Sequence, residues 1–279
     1  MRVIDAHQHF WSLSTPGHEW PTPAVPRIHR DFGPDNLAVE ALGADLAGTV
    51  LVQSQPSDAD TNWMLALADD HSLVRAVVGW VDLAAPDAPE RIRALATRPK
   101  LRGLRPMLQS IADTDWLLQG ALAPALDAME ECGLRLDALV QPRHLGMLAR
   151  FAARRPNLPI VIDHAAKPRA DRREMEPWAS EIAMLAELGL WCKLSGLRTE
   201  QAAGQPAEDL APYVDHLVRC FGPRLMWGSD WPVLLLSGDS WKAWLDQSFR
   251  MAGAVGADAA RLFLEAAAEF YALEKMDED

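Results

Sequence analysis

The sequence is poor in cysteine, has no long apolar run and carries no basic cluster. Three cysteines, Cys132, Cys192 and Cys220, are scattered through 279 residues without a C-x-x-C spacing. An odd, dispersed set excludes a disulfide framework and points to reduced thiols buried as small apolar side chains. No window approaches the ~20 consecutive apolar residues of a membrane span. No apolar stretch follows a charged start either, because the chain enters Val-Ile-Asp-Ala-His at once. Lys and Arg total 27 against 39 Asp and Glu, a net charge of −12 with no Lys/Arg-rich run. That removes the electrostatic case for nucleic acid or an anionic membrane, though not for a local basic pocket. The expected compartment is the cytoplasm.

No Gly/Ser linker, charge block or low-complexity segment divides the chain, so residues 1–279 read as one domain. With 49% hydrophobic and 24% charged residues there is ample material for a large core. What recurs is a strand-like run followed by a helix-like run. Strands are expected at 3–7, 49–54, 74–81, 101–106, 134–140, 159–164, 190–195 and 225–230, each short, apolar and bounded by turn-forming residues. Helical spacing of apolar residues marks 36–46, 58–70, 86–97, 113–131, 143–154, 174–188, 208–220, 241–251 and 258–273. Strict alternation predicts a parallel sheet, and eight units in this length match a closed (β/α)8 TIM barrel. The rival, an open doubly wound sheet, would show a G-x-G-x-x-G turn after a strand, and none occurs. The long, proline-rich connection after strand one leaves the C-terminal end of the barrel and is read as a lid over its mouth.

Catalytic groups of a barrel stand at the C-terminal ends of its strands. Those ends hold His7 and His9, Gln53 and Gln55, Trp80 and Asp82, Arg105, Gln141, His164 followed by Lys167, Lys193 and Ser195, and Asp230 followed by Trp231. An H-x-H pair arises by chance in about one in five chains of this histidine content, so His7 and His9 alone could be ordinary strand residues. Side-chain alternation puts Asp5, His7 and His9 on one face, Ile160, Ile162 and His164 on another, and Met226, Gly228 and Asp230 on a third. If these faces point inward, His7, His9, His164 and Asp230 converge at the mouth.

With these residues the chain resembles the amidohydrolase superfamily, in the branch called amidohydrolase family 2. It is most similar there to the sugar-lactonase group that includes L-fuconolactonases and L-rhamnonolactonases. The motifs are DAHQHFW at 5–11, VQ at 52–53, GLRP at 103–106, VIDHAAKP at 161–168, KLSG at 193–196, GSDWP at 228–232 and FLEAAAEFYAL at 263–273. The resemblance implies a hydrolase of carbohydrate metabolism that opens a sugar (aldonic acid) lactone, such as L-fuconolactone, to the free acid. It assigns His7 and His9 as metal ligands or carbonyl polarisers, His164 as a further polariser and Asp230 as the residue that activates water. Metal-dependent members carry a bridging Lys or Glu at strand four and a histidine at strand five. Arg105 and Gln141 stand there, which argues against a two-metal centre.

Lactone hydrolysis needs a deprotonated water, charge stabilisation on the carbonyl oxygen and a proton for the leaving ring oxygen. Asp230 suits the first and third. His7, His9 and His164 suit the second, directly or through one zinc held by His7, His9 and Asp230 that the chemistry need not require. Arg105, Gln53, Gln141 and Lys193 are candidates to bind substrate hydroxyls, and Trp11, Trp80 and Trp231 to wall the sugar ring. Their plainer roles are a salt bridge across the barrel top for Arg105, loop ties for the glutamines, a snorkelling stem for Lys193 and core packing for the tryptophans. The alternative reading is a zinc-dependent decarboxylase of an aromatic carboxylic acid on the same barrel.

Overall fold

The computed structural model describes residues 1–274; the last five positions of the expected domain, 275–279, lie outside the described residues. Eight strands form one sheet in sequence order: β1 (Arg2–Gln8), β2 (Asp45–Val52), β3 (Val74–Gly79), β4 (Leu101–Leu104), β5 (Arg135–Ala138), β6 (Ile160–Ile162), β7 (Trp191–Leu194) and β8 (Leu225–Trp227). Every neighbouring pair from β1·β2 to β7·β8 is parallel. The sheet then closes on itself just past β8. Asp230 N donates to His7 O at 2.7 Å, His9 N donates to Trp231 O at 2.8 Å, and Gln8 bridges Trp231. The expected (β/α)8 barrel is the architecture observed.

Helices cover the outside, and their starts follow proline. The run expected at 113–131 is helical only from Ala123, after two 3-10 turns at Trp116–Leu118 and Gly120–Leu122. The reason is Pro124, which fits the first turn of a helix but not its interior. Pro177 and Pro212 likewise delay the helices Trp178–Glu187 and Ala211–Phe221. The first helix, expected to reach residue 46, stops at Glu40 because Gly43 turns the chain with φ +81° and Asp45–Leu46 pair with Arg2–Val3. The closing segment is a π turn, Arg261–Glu265, leading into the helix Ala266–Phe270. Of the three thiols, Cys192 is buried as expected, whereas Cys132 and Cys220 are half-buried.

Two apolar layers fill the molecule. Ile4, Ala6, Val50, Val52, Ala76, Val78, Val161 and Met226 point into the barrel and meet Ala266, Ala267, Phe270 and Tyr271 of the closing segment. Their alternate neighbours, among them Val3, Leu51, Val77, Ile160, Ile162 and Trp227, join the outer core under the helices. This reverses the side expected for Ile160 and Ile162: the inner residues of that strand are Val161 and, beyond it, Asp163.

Asp5, expected on one face with His7 and His9, instead points outward, because the pairing shifts register between Asp5 and Gln8, and it locks the seam. Its carboxylate accepts from Ser229 N (2.8 Å), Ser229 Oγ (2.5 Å), Trp241 Nε1 (2.7 Å) and His7 N (3.2 Å), tying β1 to the β8 loop and to the helix Trp241–Ala254. Gly228 permits this approach, since a Cβ there would lie 2.7 Å from His7 Cβ and 2.9 Å from His7 N. No described helix is long and apolar enough to cross a membrane. Asp5→Ala leaves these donors without their acceptor in a dry site. It is expected to cost about 3 kcal/mol and to lower Tm by roughly 6–12 °C, read by calorimetry.

Candidate active site

The seam puts the candidate residues in one place. His7 and His9 end β1, and Asp230 follows β8 across the closing hydrogen bonds. Asp230 Oδ1 lies 3.3 Å from His9 Nε2 and 3.9 Å from both His7 Nε2 and His164 Nε2. The His7 and His164 rings are 4.4 Å apart. His164 reaches the mouth by backbone strain rather than by strand alternation. Residues His164, Ala165, Ala166 and Lys167 all have φ between +50° and +58°, a conformation L-residues rarely adopt, and Asp230 shares it at +58°. Such strain persists only where the surroundings over-determine it, and it gathers at functional sites. Here Trp178 Nε1 donates to Ala165 O at 2.7 Å, and Ser195 Oγ sits 2.9 Å from His164 Nδ1.

The charges are unusually dry. His7 is pressed well below its usual value first by burial and then by the Lys193 charge, against the pull of Asp163, so it is neutral at pH 7. Burial, aided by His7 and Lys167, lowers His164 likewise, despite Asp230. Burial would raise Asp230, but His164, a hydrogen bond from His9 and the nearby Lys167 outweigh it and hold the carboxyl below its usual value. The floor thus presents one ionised carboxylate beside neutral imidazoles.

Below them lies a second layer. Lys193 Nζ donates to Asp137 Oδ2 at 2.5 Å and stands 3.0 Å from Asp163 Oδ1 and 3.1 Å from His7 Nδ1. Arg105 Nη1 lies 3.4 Å from Asp163 Oδ2 and 3.3 Å from His7 Nε2, while Nη2 donates to Gln53 O. The neighbouring strands β4 to β7 supply this layer, and it reaches His7 of β1 across the interior. Buried charges on this scale survive only when paired. Asp163 Oδ1 is a buried acceptor with no well-aligned hydrogen bond, and His7 Nδ1 is 3.2 Å from it. Giving Nδ1 the single proton of neutral His7 satisfies that oxygen and leaves the Nε2 lone pair to accept from Arg105 Nη1.

Proton placement at His9 bears on a metal ion in the same way. His9 Nδ1 is 2.8 Å from Val52 O, which can only accept, so Nδ1 carries a proton. Its Nε2 then faces an Asp230 oxygen at 3.3 Å, two acceptors in opposition unless a proton or a cation lies between them. Candidate ligand atoms of His7, His9 and Asp230 all lie within 4.8 Å of one another. Two nitrogens and one oxygen suit a single zinc with an open position, and backing of each histidine by a carbonyl or carboxylate is the usual outer support of such ligands.

Above the floor opens a cavity of about 520 Å³, lined among others by His9, Arg105, His164, Lys167 and Asp230. Its walls include Ser54, Gln109, Ser110 and Thr199, with Met107, Leu139 and Val233 as apolar surface. Glu19 and Trp20 of the long first loop close one side. That loop is pinned by Gln55, whose Oε1 accepts from Glu19 N (2.9 Å) and Trp20 N (3.1 Å) and whose Nε2 donates to Trp20 O. Asp60 fixes Gln55 in turn by accepting from its backbone N–H at 3.1 Å.

Several expected substrate contacts lie elsewhere. Of Arg105, Gln53, Gln141, Lys193, Trp11, Trp80 and Trp231, only Arg105 lines the cavity. Gln53 is buried and donates to Arg105 O at 3.0 Å. Gln141 caps the turn Pro142–His144, and Lys193 is sealed beneath His7. Trp11 donates to Arg30 O at 2.8 Å and packs edge-on against Trp20 and Phe32, and Trp231 packs against Phe10 and Phe32. These rings hold the loop on the seam, at about 0.5–1.5 kcal/mol for each aromatic pair beyond its burial. Trp80 is half-buried, with its backbone N–H held by Thr61 Oγ1 at 2.9 Å. Sequence reasoning missed Asp137 and Asp163. Both are carboxylates set in apolar strand sequence, the same signal that marked Lys193. The serine, threonine and glutamine wall sits on loops, which carry no periodic signal.

Known proteins resemble this chain over nearly its whole length. A family model described as Amidohydrolase matches residues 4–273. An L-fucono-1,5-lactonase of Burkholderia ambifaria is 45% identical over 99% of this chain and 97% of its own. An L-fucono-1,5-lactonase of Burkholderia multivorans is 38% identical over 84% of this chain and 83% of its own. A crystal structure of an amidohydrolase from Burkholderia multivorans with bound zinc superposes with a TM-score of 0.90 at 34% identity, covering 98% of this chain and all of that one.

Gly196 tests how tightly the imidazole is held. Its φ is +64°, and a Cβ there would lie 2.5 Å from His164 Nδ1 and 2.6 Å from Cγ, inside contact distance. Gly196→Ala is expected to displace His164 and to cost about 1–3 kcal/mol of stability. Thermal melting and a crystal structure of the variant read both effects.

Proposed function

The chain belongs to the amidohydrolase family and is an enzyme of it; from that premise we propose that it hydrolyses an aldonic acid lactone of the L-fucono-1,5-lactone kind to the open-chain acid. The observation that carries this reading is an ionised carboxylate, Asp230, set beside the imidazoles of His9 and His164 on the floor of a cavity walled by hydroxyls and amides. The cavity volume lies within the ~300–1,000 Å³ range of small-molecule sites, and its Ser54, Gln109, Ser110 and Thr199 walls suit the hydroxyls of a polyol.

In this reading, water held against Asp230 gives up its proton to the carboxylate as its oxygen bonds to the lactone carbonyl carbon. Charge gathers on the carbonyl oxygen. Arg105 faces it with a fixed fork of donors, and His164 presents Nε2–H when Ser195 Oγ donates to Nδ1. As the ring C–O bond breaks, Asp230 returns the proton to the departing ring oxygen. The product acid then ionises, so turnover releases acid. A zinc bound by His7, His9 and Asp230 would add Lewis-acid polarisation of the same carbonyl. The zinc-bound relative and the close grouping of His7, His9 and Asp230 ligand atoms support that site for this chain.

Asp230→Asn keeps the size of the side chain and removes the base. It is expected to lower kcat by a factor on the order of 10²–10⁴, measured as acid release from L-fucono-1,5-lactone. Full activity in the variant contradicts the assignment. Release of carbon dioxide from an aromatic acid, with no lactone opened in a chelator-controlled panel, contradicts the reaction class. The pH profile separates the bases. Asp230 works deprotonated and its carboxyl is held below its usual value, so activity persists as pH falls and is lost only below about pH 4. An ordinary histidine base would lose activity near pH 6.5, and a profile of that shape contradicts the carboxylate.

A further inference from the structure

The buried acid and base beneath His7 take no part in the steps above, and one of their partners comes from the far end of the chain. Tyr271 directly follows the closing helix Ala266–Phe270, which packs with Ile4, Val50 and Met226 inside the barrel. Its hydroxyl donates to Asp137 Oδ2 at 2.7 Å, and its ring centre lies 5.4 Å from Lys193 Nζ. The side chain is fully buried. Burial, then the Asp137 and Asp163 charges, push the phenol well above its usual value, so it remains a donor.

One carboxylate oxygen, Asp137 Oδ2, therefore receives both the phenol at 2.7 Å and the ammonium at 2.5 Å, while Oδ1 has no hydrogen-bond partner among the described residues. The phenol takes one lone-pair direction and leaves Lys193 the other. Lys193 Nζ in turn stands almost equidistant from Asp163 Oδ1 (3.0 Å) and His7 Nδ1 (3.1 Å). If Nζ leans to Asp163, His7 Nδ1 keeps its proton and Nε2 offers its lone pair to Arg105 Nη1. If it leans to His7, Nδ1 becomes the acceptor and the proton moves to Nε2. The place of Nζ between these two partners therefore bears on which nitrogen of His7 carries the proton.

We propose that Tyr271 is a positioning residue of the active site: by fixing Asp137, and through it Lys193, it holds His7 as the Nδ1–H tautomer. The reading rests on His7 standing at the reacting centre. It also gives the closing segment a role besides plugging the barrel, because the segment completes a chain of contacts that ends at the floor of the cavity. Hydrogen-bonded networks in dry surroundings couple their members more strongly than isolated pairs do.

The test is Tyr271→Phe, which removes the hydroxyl and keeps the ring. In protein labelled with ¹⁵N-histidine, the His7 nitrogens are assigned by their loss in His7→Asn. The wild type is expected to show one neutral tautomer, and Tyr271→Phe a mixture in which both His7 signals move towards their mean. Turnover is expected to fall on the order of tenfold, as for slight misplacement of a reacting group, with KM within about twofold. Asp137→Asn, acting on the same contact from the other side, is expected to move the His7 signals likewise.

Arg135→Gln is the structural comparator. Arg135 Nε donates to Phe270 O at 2.6 Å, holding the same helix without touching His7. It is expected to lower Tm while leaving the His7 signals and turnover in place. Unchanged His7 signals in Tyr271→Phe, or the same His7 change in Arg135→Gln, overturn the proposal. If the His7 signals move but turnover does not, the positioning stands and the catalytic reading of His7 fails instead.

Discussion

Closure of the barrel between its first and last strands is the constraint on which the rest depends. Two backbone hydrogen bonds make it, from Asp230 to His7 and from His9 to Trp231, and the residues that make them are the residues of the site. A closed parallel sheet removes its own edges, so each bond that holds the cylinder shut also sets the distance between an imidazole and a carboxylate. Asp5 and Gly228 serve the same seam, one by gathering donors from β1, the β8 loop and an outer helix, the other by leaving no side chain where the strands touch. A change that loosens the seam therefore also alters the spacing of these imidazoles and this carboxylate.

Beneath the seam the molecule tolerates an arrangement that most cores avoid. Lys193, Arg105, Asp137 and Asp163 are all buried, and neither their positive nor their negative members would persist alone. Replacing such a set with apolar residues is often neutral or stabilising, so its presence points to function rather than to stability. Its effect is on the floor above. The charges keep His7 neutral, bear on which of its nitrogens carries the proton, and hold Arg105 at the wall of the cavity. Only Asp230 carries negative charge at the surface of that floor.

Much of this was legible in the sequence. Eight apolar runs alternating with helical periods specify the barrel, and polar residues at the strand ends mark the mouth. His7, His9, His164 and Asp230 meet as strand-end reasoning expects. The route to His164 was misread, because alternation assigns Ile160 and Ile162 to the inner face, whereas a run of left-handed residues carries His164 there after Val161 and Asp163 have taken that face. Trp11 and Trp231 show a different limit: an aromatic beside a catalytic motif can wall a ligand or clamp a loop, and only packing partners distinguish the two. The helix starts were displaced by Pro124, Pro177 and Pro212, a local effect that periodicity overrides when prolines are read only as helix stops. Ser54, Gln109, Ser110 and Thr199 carried no signal, because loop residues converge only once the fold exists.

The central claim is that the seam places a lactone carbonyl over the imidazoles with Asp230 beside its carbon. A crystal structure of Asp230→Asn soaked with L-fucono-1,5-lactone tests it most directly. The account predicts the intact ring in the cavity, its carbonyl oxygen within about 3 Å of Arg105 or an imidazole nitrogen, and the residue-230 side chain on the face that water must attack. A lactone bound with its carbonyl turned toward Glu19 and Trp20, or bound outside the cavity altogether, would contradict it.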